Sequence, residues 1–142
     1  MAYKTDFATS ARRHLRAACE LNGVTSAGAE PGCRAVAGYL FGLSGELAVK
    51  QMMRNSGMRP KAPEQRRDDP FYAHFEHLKS CLIDTIEGRL AGELRSIAED
   101  ASLFQFWSTD MRYAPTTDIL DKWVEAWQKS ARSLVDKMGS LE

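Results

Sequence analysis

The 142-residue chain has no excess of charge of either sign, with 19 basic side chains against 19 acidic ones. That balance excludes a protein whose whole surface attracts nucleic acid and leaves room only for a local basic patch. Cysteine is scarce, at three residues. Cys19, Cys33 and Cys81 are odd in number, lack metal-ligand spacing and lie in apolar helical patterns, which suits a reducing compartment, by default the cytoplasm. Strand-type alternation, internal repeats and low-complexity tracts are all missing. Lys4, Asp6, Arg12 and Arg13 break up the beginning before an apolar run forms, so neither a signal peptide nor a transmembrane segment is expected. Serine or cysteine nucleophile motifs and phosphate-binding glycine loops are absent as well.

What the sequence does contain is helix. Between Arg34 and Met53 only Arg34, Ser44, Glu46, Lys50 and Gln51 are strongly polar. A helix so apolar on nearly every side must be surrounded by protein. It is too short and too interrupted by Glu46 to span a bilayer, which needs about 20 predominantly apolar residues. The stretch is therefore expected to be the central and most buried helix of an all-α, up-and-down bundle of four to five helices, forming one domain over residues 1–142. Gly38, Gly42 and Gly45 fall at i, i+4 and i+7 and form a smooth stripe with Ala35 and Val49. Each interior glycine weakens a helix by about 1 kcal/mol relative to alanine, so a bulky side chain or a neighbouring backbone is expected to approach closely there. Val36, Leu40, Leu43 and Leu47 form a second stripe, expected to be buried. Glu46 and Lys50 stand in the favourable order for an ion pair, expected at a solvated edge.

Around this centre the remaining elements follow from caps and periodicity. Asp6 or Thr5 caps a first helix that runs to about Leu21, with Ala8, Ala11, Leu15 and Ala18 inward and Arg12, Arg13 and Arg16 outward. Residues 24–32 read as a loop, with Pro31 in the first turn of the second helix. Residues 55–69 read as a long exposed connection. Arg54, Arg59, Lys61, Arg66 and Arg67 against Glu64 give positions 54–67 a net charge of +4, enough to attract an acidic partner or a polynucleotide backbone. After Asp68-Asp69-Pro70, apolar residues from Phe71 to Ile97 recur at helical spacing for more than seven turns and predict one long helix in which Gly88 and Gly92 permit bending. Residues 102–115 are aromatic-rich and aperiodic. A final helix begins near Thr116–Asp118, with Leu120, Trp123, Trp127, Ala131, Leu134 and Met138 on its inner stripe.

Few constellations can carry chemistry. His14, His74 and His77 can meet in a bundle, but without a Glu-x-x-His pair they make an incomplete ligand set, so no metal or other cofactor is expected. Arg67 precedes His74 by six intervening residues, a pair able to stabilise and protonate groups around a scissile phosphate. Leu103, Phe104, Phe106 and Trp107 crowd into five positions, and some of them are expected on the surface. With the glycine stripe as a second flat surface, a two-fold homodimer is expected whose interface includes part of the second helix or the 102–113 segment.

Ala37-Gly38-Tyr39 continuing to Glu46-Leu47-Ala48-Val49-Lys50 resembles the signature helix of the HEPN superfamily of small helical bundles. His77-Leu78 with Leu82, and Trp107 through Met111-Arg112-Tyr113, resemble its later anchors in the same order. The resemblance spans about residues 33–138. It implies a four- or five-helix bundle, commonly homodimeric, often associated with nucleotidyltransferases, toxin–antitoxin modules or RNA metabolism, and it marks Tyr39, Glu46, Lys50, His77, Arg112 and Tyr113 as binding positions. Ribonuclease members carry an arginine, then four to six intervening residues, then a histidine near the start of a late helix. Here Arg112 is followed by Thr117, Asp118 and Ile119 where that histidine belongs. The departure favours a non-catalytic binding or assembly role for a protein, nucleotide or RNA. The alternative is a metal-independent endoribonuclease using Arg67 and His74.

Overall fold

The computed structural model describes residues 3–24 and 32–142, so the expected loop at 25–30 and the placement of Pro31 lie outside the described residues. Five α-helices and four short 3-10 segments make up the bundle, with no strand among the described residues. Helix α1 (Phe7–Asn22) is capped by Asp6, whose carboxylate accepts the amide hydrogen of Thr9 at 3.0 Å. Helix α2 (Gly32–Asn55) is the axis, and 12 of its 24 residues are buried. Helices α3 (Phe75–Ile83) and α4 (Ala91–Glu99) form a short antiparallel pair, and α5 (Asp121–Ser140) closes the bundle.

Helices α1 and α5 flank α2. On the α1 side, Ser44 donates its hydroxyl hydrogen to the Ala11 carbonyl at 2.7 Å, and Ala11 and Ala18 are fully buried. On the α5 side, the glycine stripe receives large side chains. A methyl group at Gly38 would sit 3.0 Å from the ring of Trp127, one at Gly42 would overlap the Trp107 indole, and one at Gly45 would lie 2.6 Å from Phe104. The close approach expected of the stripe is thus made by aromatic side chains. Gly38 opposes Val124 and Trp127, Gly45 opposes Leu134, and Arg34 bridges to Asp121 at 2.8 Å, so α2 and α5 run parallel. The chain returns from the end of α2 to the start of α5 along α4 and residues 100–120: the turn between α3 and α4 bonds to Ser56, whereas Trp107 bonds to Gly38 and Tyr39.

Three expectations about elements require correction. The single long helix over 71–97 is two helices, because the chain turns sharply at 84–90. Gly88 adopts a left-handed φ of +92° with its Cα pressed against the Ser56 carbonyl, leaving no space for a side chain. Ser56 fixes that turn by donating to the Glu87 carbonyl at 2.6 Å and accepting from the Leu90 amide at 3.0 Å. The 55–69 connection is anchored rather than wholly exposed. Ser56, Met58 and Asp69 are buried, and the Asp69 carboxylate accepts from the amides of Lys61 at 2.6 Å and Phe71 at 3.0 Å. The second stripe of α2 is only half-buried at Leu40, Leu43 and Leu47, and Val36 is 52 % exposed, because helices cover α2 on its other sides and leave its first turns beside a cavity.

The aromatic segment is tightly folded. Phe104 and Phe106 both have left-handed φ, +53° and +69°, a conformation that costs a non-glycine residue about 1–2 kcal/mol. This backbone sends successive rings in opposite directions. Phe104 packs in the core against Phe75, Trp107 fills the gap at Gly42, and Phe106 lies on the surface, 60 % exposed and stacked on Trp123. On α5, Trp127, Ala131, Leu134 and Met138 are buried as the stripe predicts, whereas Trp123 is half-buried and Leu120 is exposed at the helix start.

Candidate functional site

The residues singled out by sequence assemble into two groups. The first is in the middle of α2. Glu46 and Lys50 are buried, 4 and 5 % exposed, and their ion pair spans 3.1 Å. The pair supports the helix, as its spacing allows, but it does so in the interior, where His74 at the start of α3 meets it, rather than at the expected solvated edge. The second oxygen of Glu46 meets Nδ1 of His74 at 3.0 Å. His74 is the residue that opens α3, its carbonyl accepting from the amides of His77 and Leu78. Its ring is half-exposed, so the group runs from a buried ammonium through a buried carboxylate to an imidazole at the surface. The hydrogen bond to Glu46 raises the His74 pKa above its ordinary value, against the opposing effect of partial burial.

The second group surrounds the first turns of α2. Tyr39 stacks on Trp107 with ring centres 5.6 Å apart and planes 10° from parallel. The Trp107 indole donates to the carbonyls of Gly38 and Tyr39 at 3.2 and 3.3 Å, which fixes both rings to the helix. Arg112 extends from the 3-10 segment Thr109–Tyr113 over Tyr39, its guanidinium carbon 5.9 Å from that ring centre and 5.1 Å from the ring centre of exposed Tyr113. Its Nε donates to the Thr109 carbonyl at 2.9 Å. A cavity of about 610 Å³ lies alongside, walled by Cys33, Ala35, Val36 and Tyr39 from α2 and by Met111 and Arg112 opposite.

Glu76, which the sequence reading did not single out, aligns the 3-10 segment from below. Its carboxylate accepts from the hydroxyls of Ser108 and Thr109 and from the Thr109 amide. Partial burial alone would raise its pKa, but these hydrogen bonds outweigh that and hold the carboxyl below its usual range. A Ser-Thr pair within the aperiodic stretch 102–115 is the only trace of this arrangement in the sequence, and its partner is more than thirty residues earlier.

The proposed Arg67–His74 pair has its members in different settings. Arg67 is exposed in the 3-10 segment Pro63–Asp68, while His74 is tied to Glu46. His77 is exposed on α3, and His14 is held to the Ser10 carbonyl at 2.7 Å within α1. Among the described residues, no three His, Cys, Asp or Glu side chains gather as a metal site would require, and no helix is long and apolar enough to cross a membrane. No protein-family model, curated protein or solved structure matches the chain.

Proposed function

We propose that the chain is a non-catalytic HEPN-like bundle that acts as a homodimeric binding or assembly module for a protein, nucleotide or RNA partner, a nucleotidyltransferase being one such protein. The observation that carries this reading is the separate engagement of the groups a nuclease would have to combine. His74 is bound to Glu46, whereas Arg112 is seated between two tyrosine rings and the Thr109 carbonyl, beside a cavity whose described lining contains no His, Asp, Glu or Lys. An arginine among aromatics recognises negative charge and flat surfaces, but it does not transfer protons at neutral pH.

The ribonuclease alternative has one observation in its favour. A half-exposed imidazole oriented by a buried carboxylate is the arrangement that general acid–base catalysis uses. Incubation of the purified chain with single-stranded RNA distinguishes the two. The binding reading expects intact RNA over hours, whether or not the RNA is retained. Cleavage by the wild type that disappears in both Arg67→Ala and His74→Ala would establish the nuclease.

A further inference from the structure

The cavity beside α2 has the dimensions and lining of a ligand site. At about 610 Å³ it falls within the roughly 300–1,000 Å³ typical of pockets for small molecules. Its walls are mainly apolar, and Val36, which precedes the fully buried Ala37, lines it and is 52 % exposed. Arg112 is the one charged side chain among the described lining residues, so no carboxylate in that lining neutralises it. With Nε committed to the Thr109 carbonyl, the two terminal amino groups are the donors left for a ligand. The arginine is also held in place in advance. Tyr39 and Tyr113 stack with it, Trp107 supports Tyr39, and Glu76 anchors the turn from which Arg112 projects. Ordering these groups before binding spares the complex the entropy of fixing them.

We propose that this cavity binds a small organic anion, with an aromatic or aliphatic body between Val36, Tyr39 and Met111 and a single acidic group on Arg112. One guanidinium complements one negative charge, so the site suits a monoanion, whereas a polyphosphate would bring charges the described lining leaves unmatched. The inference shares Arg112 with the binding reading above and goes beyond it, because it concerns a small monoanion in a cavity that neither dimerisation nor RNA retention requires.

Two naphthalene dyes of similar body test it on the full chain. 8-Anilinonaphthalene-1-sulfonate carries one negative charge, and N-phenyl-1-naphthylamine carries none. The expected result is one saturable site, with the sulfonate bound at least about tenfold more tightly, as a charge-assisted hydrogen bond contributes. Arg112→Gln should reduce the sulfonate to the affinity of the neutral dye. Val36→Trp should fill the cavity and abolish both. Val36→Glu, at an exposed position that tolerates charge, should weaken the sulfonate alone, and it serves as the second test should the tryptophan variant lose its circular dichroism spectrum. Glu125→Gln, exposed on α5 and outside the cavity lining, should change nothing. Equal affinity for the two dyes would overturn the proposal, as would sulfonate binding that survives both Val36 variants. Affinity that falls as protein concentration rises would show that a second copy fills the cavity and would likewise overturn it, while light scattering and RNA incubation would still judge the binding module separately.

Discussion

Glu46 and Lys50 illustrate how much one pair of side chains depends on its surroundings. Taking two charges out of water incurs a desolvation penalty that their mutual attraction offsets only when hydrogen bonding is good. Here the carboxylate uses one oxygen for Lys50 and the other for His74. Lys50→Met should therefore destabilise the fold by roughly 3–5 kcal/mol, because it leaves a buried carboxylate with only a half-exposed imidazole, and the double variant Glu46→Leu/Lys50→Met should recover most of the loss in urea melts. His74 adds a dependence on pH. Its folded pKa is raised above the ordinary histidine value of about 6.5, so its contribution is complete below about that pH and is lost as pH rises through the higher folded value. Lys50 and Glu76 also act on the ring, the first opposing its protonation and the second favouring it. Relative to His74→Gln, the wild type should lose stability on going from mildly acidic to mildly alkaline buffer, by less than about 1 kcal/mol because the ring is half in water. At Gly42 packing competes with helix propensity. Gly42→Ala gains about 1 kcal/mol of propensity but drives a methyl group into the Trp107 indole, an overpacking that costs roughly 1–3 kcal/mol. Lower stability, with a shift in tryptophan emission as the indole is displaced, is the expected outcome.

At the level of the element, periodicity reveals that helices exist more reliably than where they begin or are cut: the last helix, expected from Thr116–Asp118, starts at Asp121 behind a 3-10 turn. Asp6 caps α1 as the sequence suggests, whereas Asp69, before Pro70, caps only a short 3-10 turn, and α3 starts at Phe75 behind His74. The break between α3 and α4 is hidden because Leu82, Ile86, Leu90 and Leu94 keep helical spacing across it. What interrupts the helix is Ser56, more than thirty positions away, whose hydroxyl takes up the polar groups that the turn exposes. Such a tertiary contact leaves no local pattern. Ser56→Ala should leave the Leu90 amide without that acceptor and cost roughly 1–3 kcal/mol, with faster amide exchange concentrated at 84–91. Gly88 was legible as a possible bend, but its left-handed φ and contact with the Ser56 carbonyl were not.

For the molecule as a whole, the all-α class and the burial of α2 were legible because they depend on composition averaged over twenty residues or more. The candidate site was legible only in part. The resemblance picked out Tyr39, Arg112 and Tyr113, which do meet, and Glu46 and Lys50, which do pair, but no property of the sequence indicates a cavity, since its walls come from segments some seventy residues apart. The proposed homodimer belongs to this scale. Phe106, stacked on Trp123 at the surface, is the exposed member of the aromatic cluster, and it should lie in the interface. Light scattering at micromolar concentration should give twice the monomer mass for the wild type and a lower mass for Phe106→Asp. A monomeric wild type would remove the dimer. The glycine stripe bears on how the chain is made. The indole that fills it at Gly42 comes from a residue 69 positions after the carbonyl of Gly38 to which it bonds, and α5 follows later still. As the polypeptide leaves the ribosome, α2 emerges well before the residues that cover it, and its apolar furrow stays open until Trp107 and α5 have been made. Contacts so remote in sequence slow folding and prolong exposure to aggregation, so the nascent chain should depend on chaperones for a time that its small size alone would not suggest.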